Sequence, residues 1–233
     1  MTTTALAHEL TRLLNLDHPP VAVTFHEHEP REQSGDRPDP EPAGCCFWAK
    51  AERRRIYTTA PDHAHCSVGS YTHGLISLAE AAVGEDTGAL VASGWVTETD
   101  LTSTPSVDTP PAAITYEPLA DVEDADVVLV RLTVGSLMSL QGACPELSLV
   151  TKPQCQIVPL ALQGAVAVSP GCAVSRMRTG LPAGELTCAV PAHALADVVA
   201  RLTRSVAADA AVSAFADADI RKNFAQPDPR SPG

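Results

Sequence analysis

Aromatic side chains are scarce, with four Phe, two Trp and three Tyr in 233 residues. A core of ordinary size must therefore be built from Ala, Val and Leu. Cations are scarce too: 16 Lys and Arg stand against 28 Asp and Glu, for a net charge of -12. Phosphate binding needs clustered cations, so this balance argues against nucleic acid as a partner. The one basic run, Arg53-Arg54-Arg55, is short enough to be a solvated face or a local anion clamp. No stretch approaches the roughly 18 consecutive apolar residues a membrane helix needs. The opening MTTTALAHELTRLL has no apolar segment followed by a small-residue cleavage site, so no signal peptide is expected. Both absences point to the cytoplasm, where thiols stay reduced. Also missing are a C-x-x-C pair, a Walker loop, G-x-G-x-x-G, G-x-S-x-G and H-E-x-x-H. Zinc-ribbon, ferredoxin-type, nucleotide-dependent, hydrolase and zincin readings thus lack support.

Periodicity is clear at the two ends of the chain. Leu6, Leu10, Leu13 and Leu14 share one helical face over residues 3–16, and Pro19-Pro20 must end that helix. Strands are expected at 21–25, 56–59, 112–116, 126–132, 165–168 and 185–190. Helices are expected at 44–53, 72–83, 133–142, from Pro191 to about Arg204, and over 206–219. Residues 88–96 fit helix or strand; 26–43, 62–70 and 98–111 are expected as loops. Alternating strands and helices predict an α/β fold, a mixed β-sheet with helices packed on its faces. One domain over 1–224 is expected, followed by a disordered tail at 225–233.

What the chain does have is cysteine, seven in all, an odd number that fits a disulfide framework poorly. The stretch from Cys45 to His73 holds three of them, with three histidines, one tryptophan and two tyrosines. A buried cysteine is ordinarily a small hydrophobe, and Cys144 and Cys188 fit that role. Cys46, beside Phe47, fits either reading. Cys45, Cys66, Cys155 and Cys172 differ, because each follows or adjoins a turn: Gly44, the Pro61-to-His65 loop, Pro153 and Pro170-Gly171. Turns set exposed N–H groups beside sulfur, where they stabilise thiolates. These pieces are expected to converge on one metal site. His26-x-His28 lies in a charged, proline-rich loop and is expected to be solvated.

The chain resembles the domain of unknown function 169 (ArCR) family of bacterial and archaeal proteins. The residues that carry the resemblance are Cys45 ahead of Phe47-Trp48, then Asp62-His63 with Cys66, Gly69, Thr72 and His73, then Pro153-x-Cys155, then Gly171-Cys172 with Arg176. The family usually has glycine two residues after the last cysteine, where this chain has Val174. The resemblance implies that Cys45, Cys66, Cys155 and Cys172 hold a four-thiolate [4Fe-4S] cluster, with zinc as the alternative occupant.

Two functions follow as expectations. The first is an enzyme doing redox or sulfur chemistry on a small molecule, with His63, His73 and Tyr71 as acid–base groups. Arg176, four residues past Cys172, would balance cluster charge or hold an anionic substrate. His65 is expected to be structural. The second is a non-catalytic module that passes electrons to another protein or senses oxidants. A homodimer is compatible with either.

Overall fold

The computed structural model describes residues 1–29, 41, 44–63 and 65–224. Among these, seven strands form one mixed sheet: β1 (Val21–His26), β2 (Ile56–Thr58), β3 (Ala113–Pro118), β4 (Val127–Thr133), β5 (Ser148–Leu149), β6 (Ala167–Ser169) and β7 (Glu185–Pro191). Their order across the sheet is β2-β3-β1-β4-β7-β6-β5. Neighbours run antiparallel except β5 and β6, which are parallel. The helices are α1 (Thr3–Leu14), α2 (Gly44–Lys50), α3 (Ser67–Thr72), α4 (Leu78–Ala82), α5 (Glu85–Ala92), α6 (Glu98–Ser103), α7 (Val134–Ala143), α8 (Ile157–Leu162), α9 (Ala173–Thr179) and α10 (Leu195–Asn223). The fold is α/β.

Strand β4 lies at the centre, and its near-continuous apolar run is what burial on both faces requires. Successive side chains point to opposite faces. Val128, Val130 and Leu132 accordingly join one core, with Leu6, Leu10 and Leu14 of α1, Leu140 of α7 and Val198 and Leu202 of α10. Val127 and Leu129 join the other, with Phe47 and Trp48 of α2 and Ile157 and Val158 of α8. Arg131, the one charged residue of β4, is held between Glu185 at 2.7 Å and Glu52 at 3.2 Å. Cys144 and Cys188 are fully buried in the first core, as packing residues. Cys45, Cys46 and Cys155 belong to the second, so the candidate site lies on the α2–α8 face.

Helices α3 to α6 form an outer layer around a small apolar cluster of Val68, Val96 and Leu101, with Leu90 and Trp95 packed on it. Here the chain departs from the sequence expectation. Residues 98–103 are helical because Thr97 and Asp100 make a reciprocal capping box. Residues 85–92 are helix, with Glu85 and Asp86 in the first turn. The helix expected over 72–83 is interrupted where Gly74 takes φ 72°, and resumes behind the Ser77–Glu80 box. Residues 62–70, expected as loop, carry a 3-10 turn at Ala60–His63 and the start of α3. At the other end, Pro191 closes β7, and one helix runs unbroken over the two expected after it. The expected disordered tail and most of the expected 26–43 loop lie outside the described residues.

Candidate metal centre

Four turns bring Cys45, Cys66, Cys155 and Cys172 to the wall of one cavity of about 250 Å³. Cys45 is the second residue of α2, directly after Gly44. Cys66 and Cys172 are the N-cap residues of α3 and α9. Cys155 lies in a 3-10 turn that leads into α8. Each sulfur therefore sits where a short helix begins, beside backbone N–H groups that have no partner within the helix. At Cys172 the contact is direct: the sulfur accepts from Ser175 N–H at 3.3 Å, while Ser175 Oγ accepts from Cys172 N–H at 3.0 Å. At Cys66 the backbone of Gly69 approaches so closely that a Cβ there would meet the sulfur at 3.0 Å.

No disulfide joins any of the seven cysteines. The Cys46 thiol and then burial hold the Cys45 thiol well above the ordinary thiol range. Burial also raises Cys155 and Cys66; at Cys66 the Gly69 backbone and the charge of Arg178 act in the opposite sense. Thiolates here need a positive partner. Cys46, Cys144 and Cys188 are not among the residues lining this cavity. Among the described residues no three His, Cys, Asp or Glu side chains converge closely enough to hold a single metal ion. The four cysteines share the wall of the cavity without forming a single-ion site among the described residues.

Much of the remaining lining is apolar: Val68, Leu90, Trp95, Val96 and Leu101 of the outer layer. Val174 adds to it. Asp86 and Asp100 also face the cavity, but Asp86 accepts from Ser67 N–H and Oγ–H, and Asp100 caps α6 through Thr97. The outer layer is joined to the rest of the chain at Lys152, which donates to Trp95 O and lies 4.9 Å from that ring's centroid.

Arg176 is placed elsewhere than the sequence suggested. Its guanidinium donates to the carbonyls of Pro170, Leu181, Pro182 and Glu185, pinning the loop before Cys172 to the start of β7. Gly171 passes beneath it at φ 82°, where a Cβ would meet Arg176 Nε at 3.2 Å and Gln154 Oε1 at 3.0 Å. The cavity is lined by Arg178 instead. Arg176 N–H does donate to Cys172 O at 3.0 Å, one turn on, but Cys172 is an N-cap in extended conformation, with ψ 160°, and its side chain lines the cavity while that of Arg176 is taken up by the carbonyls. Arg176→Gln is expected to cost about 2 kcal/mol, since it removes charge-assisted bonds to several carbonyls. Calorimetry should register this as a lower Tm.

Tyr71 does not line the cavity; its hydroxyl donates to Thr104 O at 3.1 Å and ties α3 to the wall. His65 is exposed, and so is His28, while His26 Nε2 lies 2.7 Å from Thr115 Oγ1. His63 and His73 are fully buried behind Gly44, whose Cβ, if present, would meet His63 Nδ1 at 3.1 Å and His73 Cε1 at 3.6 Å. Burial first, then the other histidine's charge, lowers His63 to about 3. Burial lowers His73 to about 4, against the opposing effect of Gly69 O. Both rings are neutral at pH 7. Gln154, overlooked in the sequence although it adjoins Cys155, is buried and accepts from Ser175 Oγ at 2.6 Å, so it links two of the cysteine turns.

A mixed α/β sheet with four cysteine-bearing turns around a cavity on one face defines the class. The chain belongs to the domain of unknown function 169 family, described as uncharacterised ArCR, which it matches over residues 9–201. No curated protein and no solved structure matches it.

Proposed function

We propose that Cys45, Cys66, Cys155 and Cys172 hold a [4Fe-4S] cluster and that the protein is an enzyme acting on a small molecule by redox or sulfur chemistry. The supporting observation is that these four cysteines line one cavity. A cluster spreads its thiolates over several irons, which suits four cysteines that line one cavity. A single tetrahedral zinc would need them at a point. The donor set also fits: sulfur ligands, backbone N–H at Cys172, and burial that disfavours thiolates unless a cation joins them.

The cluster would supply electron transfer or an iron that polarises a bound group. The chain's own part is to size and dry the space beside it. The apolar wall around Trp95 excludes water, Arg178 offsets negative charge near Cys66, and Tyr71 fixes the wall. His63 and His73, being neutral, would serve as hydrogen-bond acceptors or bases and not as cations. A cavity large enough for a small molecule favours an enzyme over an electron carrier, with an electron-transfer protein as the second partner. Seven cysteines without a disulfide fit the cytoplasm. No helix of the described residues is long and apolar enough to cross a membrane.

Protein prepared without oxygen should be brown and carry about four iron and four sulfide per chain. Stoichiometric zinc without iron would overturn the reading.

A further inference from the structure

Helix α10 outruns the body it packs on. Its buried residues, Leu195, Val198, Val199 and Leu202, all lie in its first turns, and the family match ends at residue 201. After Val206, which is partly buried against the core, no described residue of α10 is buried. Yet the helix continues to Asn223, about 25 Å further at 1.5 Å per residue. A lone helix of that length is marginal in water, because helices take most of their stability from a packed face. The exposed part has such a face. Ala208, Val212, Ala216 and Ile220 recur every fourth residue, and Phe215 joins Val212 on the same side at i,i+3. Val212, Phe215 and Ile220 are 65, 72 and 56% exposed, and Phe224, at the C-cap, 67%.

The helix packed beside it adds to this surface. Ser205 Oγ donates to Ser139 O at 3.1 Å and Ser139 Oγ donates to Asp209 at 2.9 Å, while a Cβ on Gly142 would meet Ser205 Oγ. Moving back along α7 from 142 to 139 thus moves forward along α10 from 205 to 209. The two helices are antiparallel, and the start of α7 runs beside the first exposed turns of α10. Val134 and Met138, one turn apart at that start, are 68 and 63% exposed. Of the ten large hydrophobics most exposed among the described residues, six belong to these two helices. Exposed apolar residues gathered in this way mark an interaction surface.

We propose that this face binds a second copy of the chain, the two α10 helices packing antiparallel about a twofold axis near Phe215. Charge selects both the occupant and the direction. Residues 206–224 carry three Asp against one Arg and one Lys, on a chain of net charge -12. A helix that lies on a membrane needs a polar face rich in Lys and Arg, so a lipid surface fits poorly. In a parallel pair Asp217, Asp219, Arg221 and Lys222 would each meet their own copy. In an antiparallel pair centred on Phe215, Arg221 falls opposite Asp209, Asp217 opposite Ser213 and Asp219 opposite Ala211, so no like charges meet. Arg221 already pairs with Asp217 at 2.8 Å and Asp209 accepts from Ser139, and the contact across the axis extends both. Such exposed pairs contribute little energy; apolar burial drives association and charge sets its direction. The same register sets Phe224 of each copy opposite Val206 of the other, and the many alanines between let the helices approach closely. The proposal is independent of the metal centre.

Sedimentation equilibrium of the full chain tests it. At about 100 µM, where a pair of micromolar affinity is almost wholly associated, the mass should be twice the 24.4 kDa of one chain. Phe215→Asp and Ile220→Asp, both at exposed positions, should each weaken association about tenfold or more. Their Tm should be no lower than that of the wild type diluted to monomer, which separates lost pairing from lost folding. Arg221→Asp and Asp209→Arg should each weaken the pair, and the two together in one chain should restore it. Phe215→Cys should give a covalent dimer on mild oxidation, beyond any formed by the wild-type chain treated alike. A monomer at this concentration, or a dimer indifferent to Phe215→Asp, would overturn the proposal. So would a double charge variant that does not recover, or no added cross-link at 215, since either removes the antiparallel register. Sedimentation of the monomer with phosphatidylserine vesicles would overturn it as well and assign the face to a lipid surface.

Discussion

Serine at Cys45, Cys66, Cys155 or Cys172 should abolish bound iron, while alanine at Cys144 or Cys188 should leave it intact. The four sulfurs share a cavity, whereas Cys144 and Cys188 are fully buried in the core on the opposite face of the sheet. Because metal binding is partly folding free energy, the first group should also lose several degrees of Tm or more. The second group loses only one sulfur's packing, about 1 kcal/mol. Cys46 should retain iron: its thiol lies 3.9 Å from Arg178 O and is not among the lining residues. Cys172→Ser is the most informative of the set, because serine is itself a good N-cap and can keep the bond from Ser175 N–H. Helix α9 should then persist while iron is lost, which separates ligation from local folding. Iron per chain, measured across all seven single variants, decides the matter; equal iron throughout would end the assignment.

The elements legible in the sequence were those whose pattern has a single physical reading. The leucines of α1 recur at helical spacing and meet the sheet as that spacing requires. The apolar run of β4 demands two covered faces and has them. The four cysteines stood out because each adjoined a turn, and a turn is a local property. Less legible were features that depend on how distant pieces meet. Helices α5 and α6 have weak apolar periodicity because they cover a small satellite cluster; the Thr97–Asp100 box identifies α6, while α5 has no side-chain cap and only the acidic first turn of Glu85 and Asp86 marks it. Arg176 and Arg178 are two residues apart on a short helix, so they point in different directions. Which one reaches the cavity is decided by the carbonyls that take up the Arg176 side chain, and spacing alone gave the other. The roles of His63 and His73 were beyond the sequence for the same reason: Thr58, Ile114 and Gly69, which fix their tautomers, lie partly on distant segments.

Acid should destabilise the protein steeply, and His63 and His73 should account for much of the slope. Their folded values, about 3 and about 4, lie below the roughly 6.5 of an unfolded histidine. As pH falls below about 6.5, the unfolded chain takes up protons that the folded chain refuses, so stability present above that pH is lost on the way down. Over the range where both are charged only when unfolded, near pH 5, the pair removes about 2.7 kcal/mol per pH unit. Two substitutions keep each histidine's existing bond while removing the titration. Gln at 63 can still donate to Thr58 from its side-chain amide, and Asn at 73 can still donate to Gly69 O. Denaturant unfolding of wild type, His63→Gln and His73→Asn between pH 7 and 4.5 should show each variant losing about 1.4 kcal/mol per pH unit of that slope. Protonation of cysteine ligands would add its own acid dependence, but it is common to all three proteins and cancels in the comparison. A slope unchanged in both variants would mean that the two rings take up protons in the folded state as readily as in the unfolded chain, and that neither imidazole is held neutral by its burial.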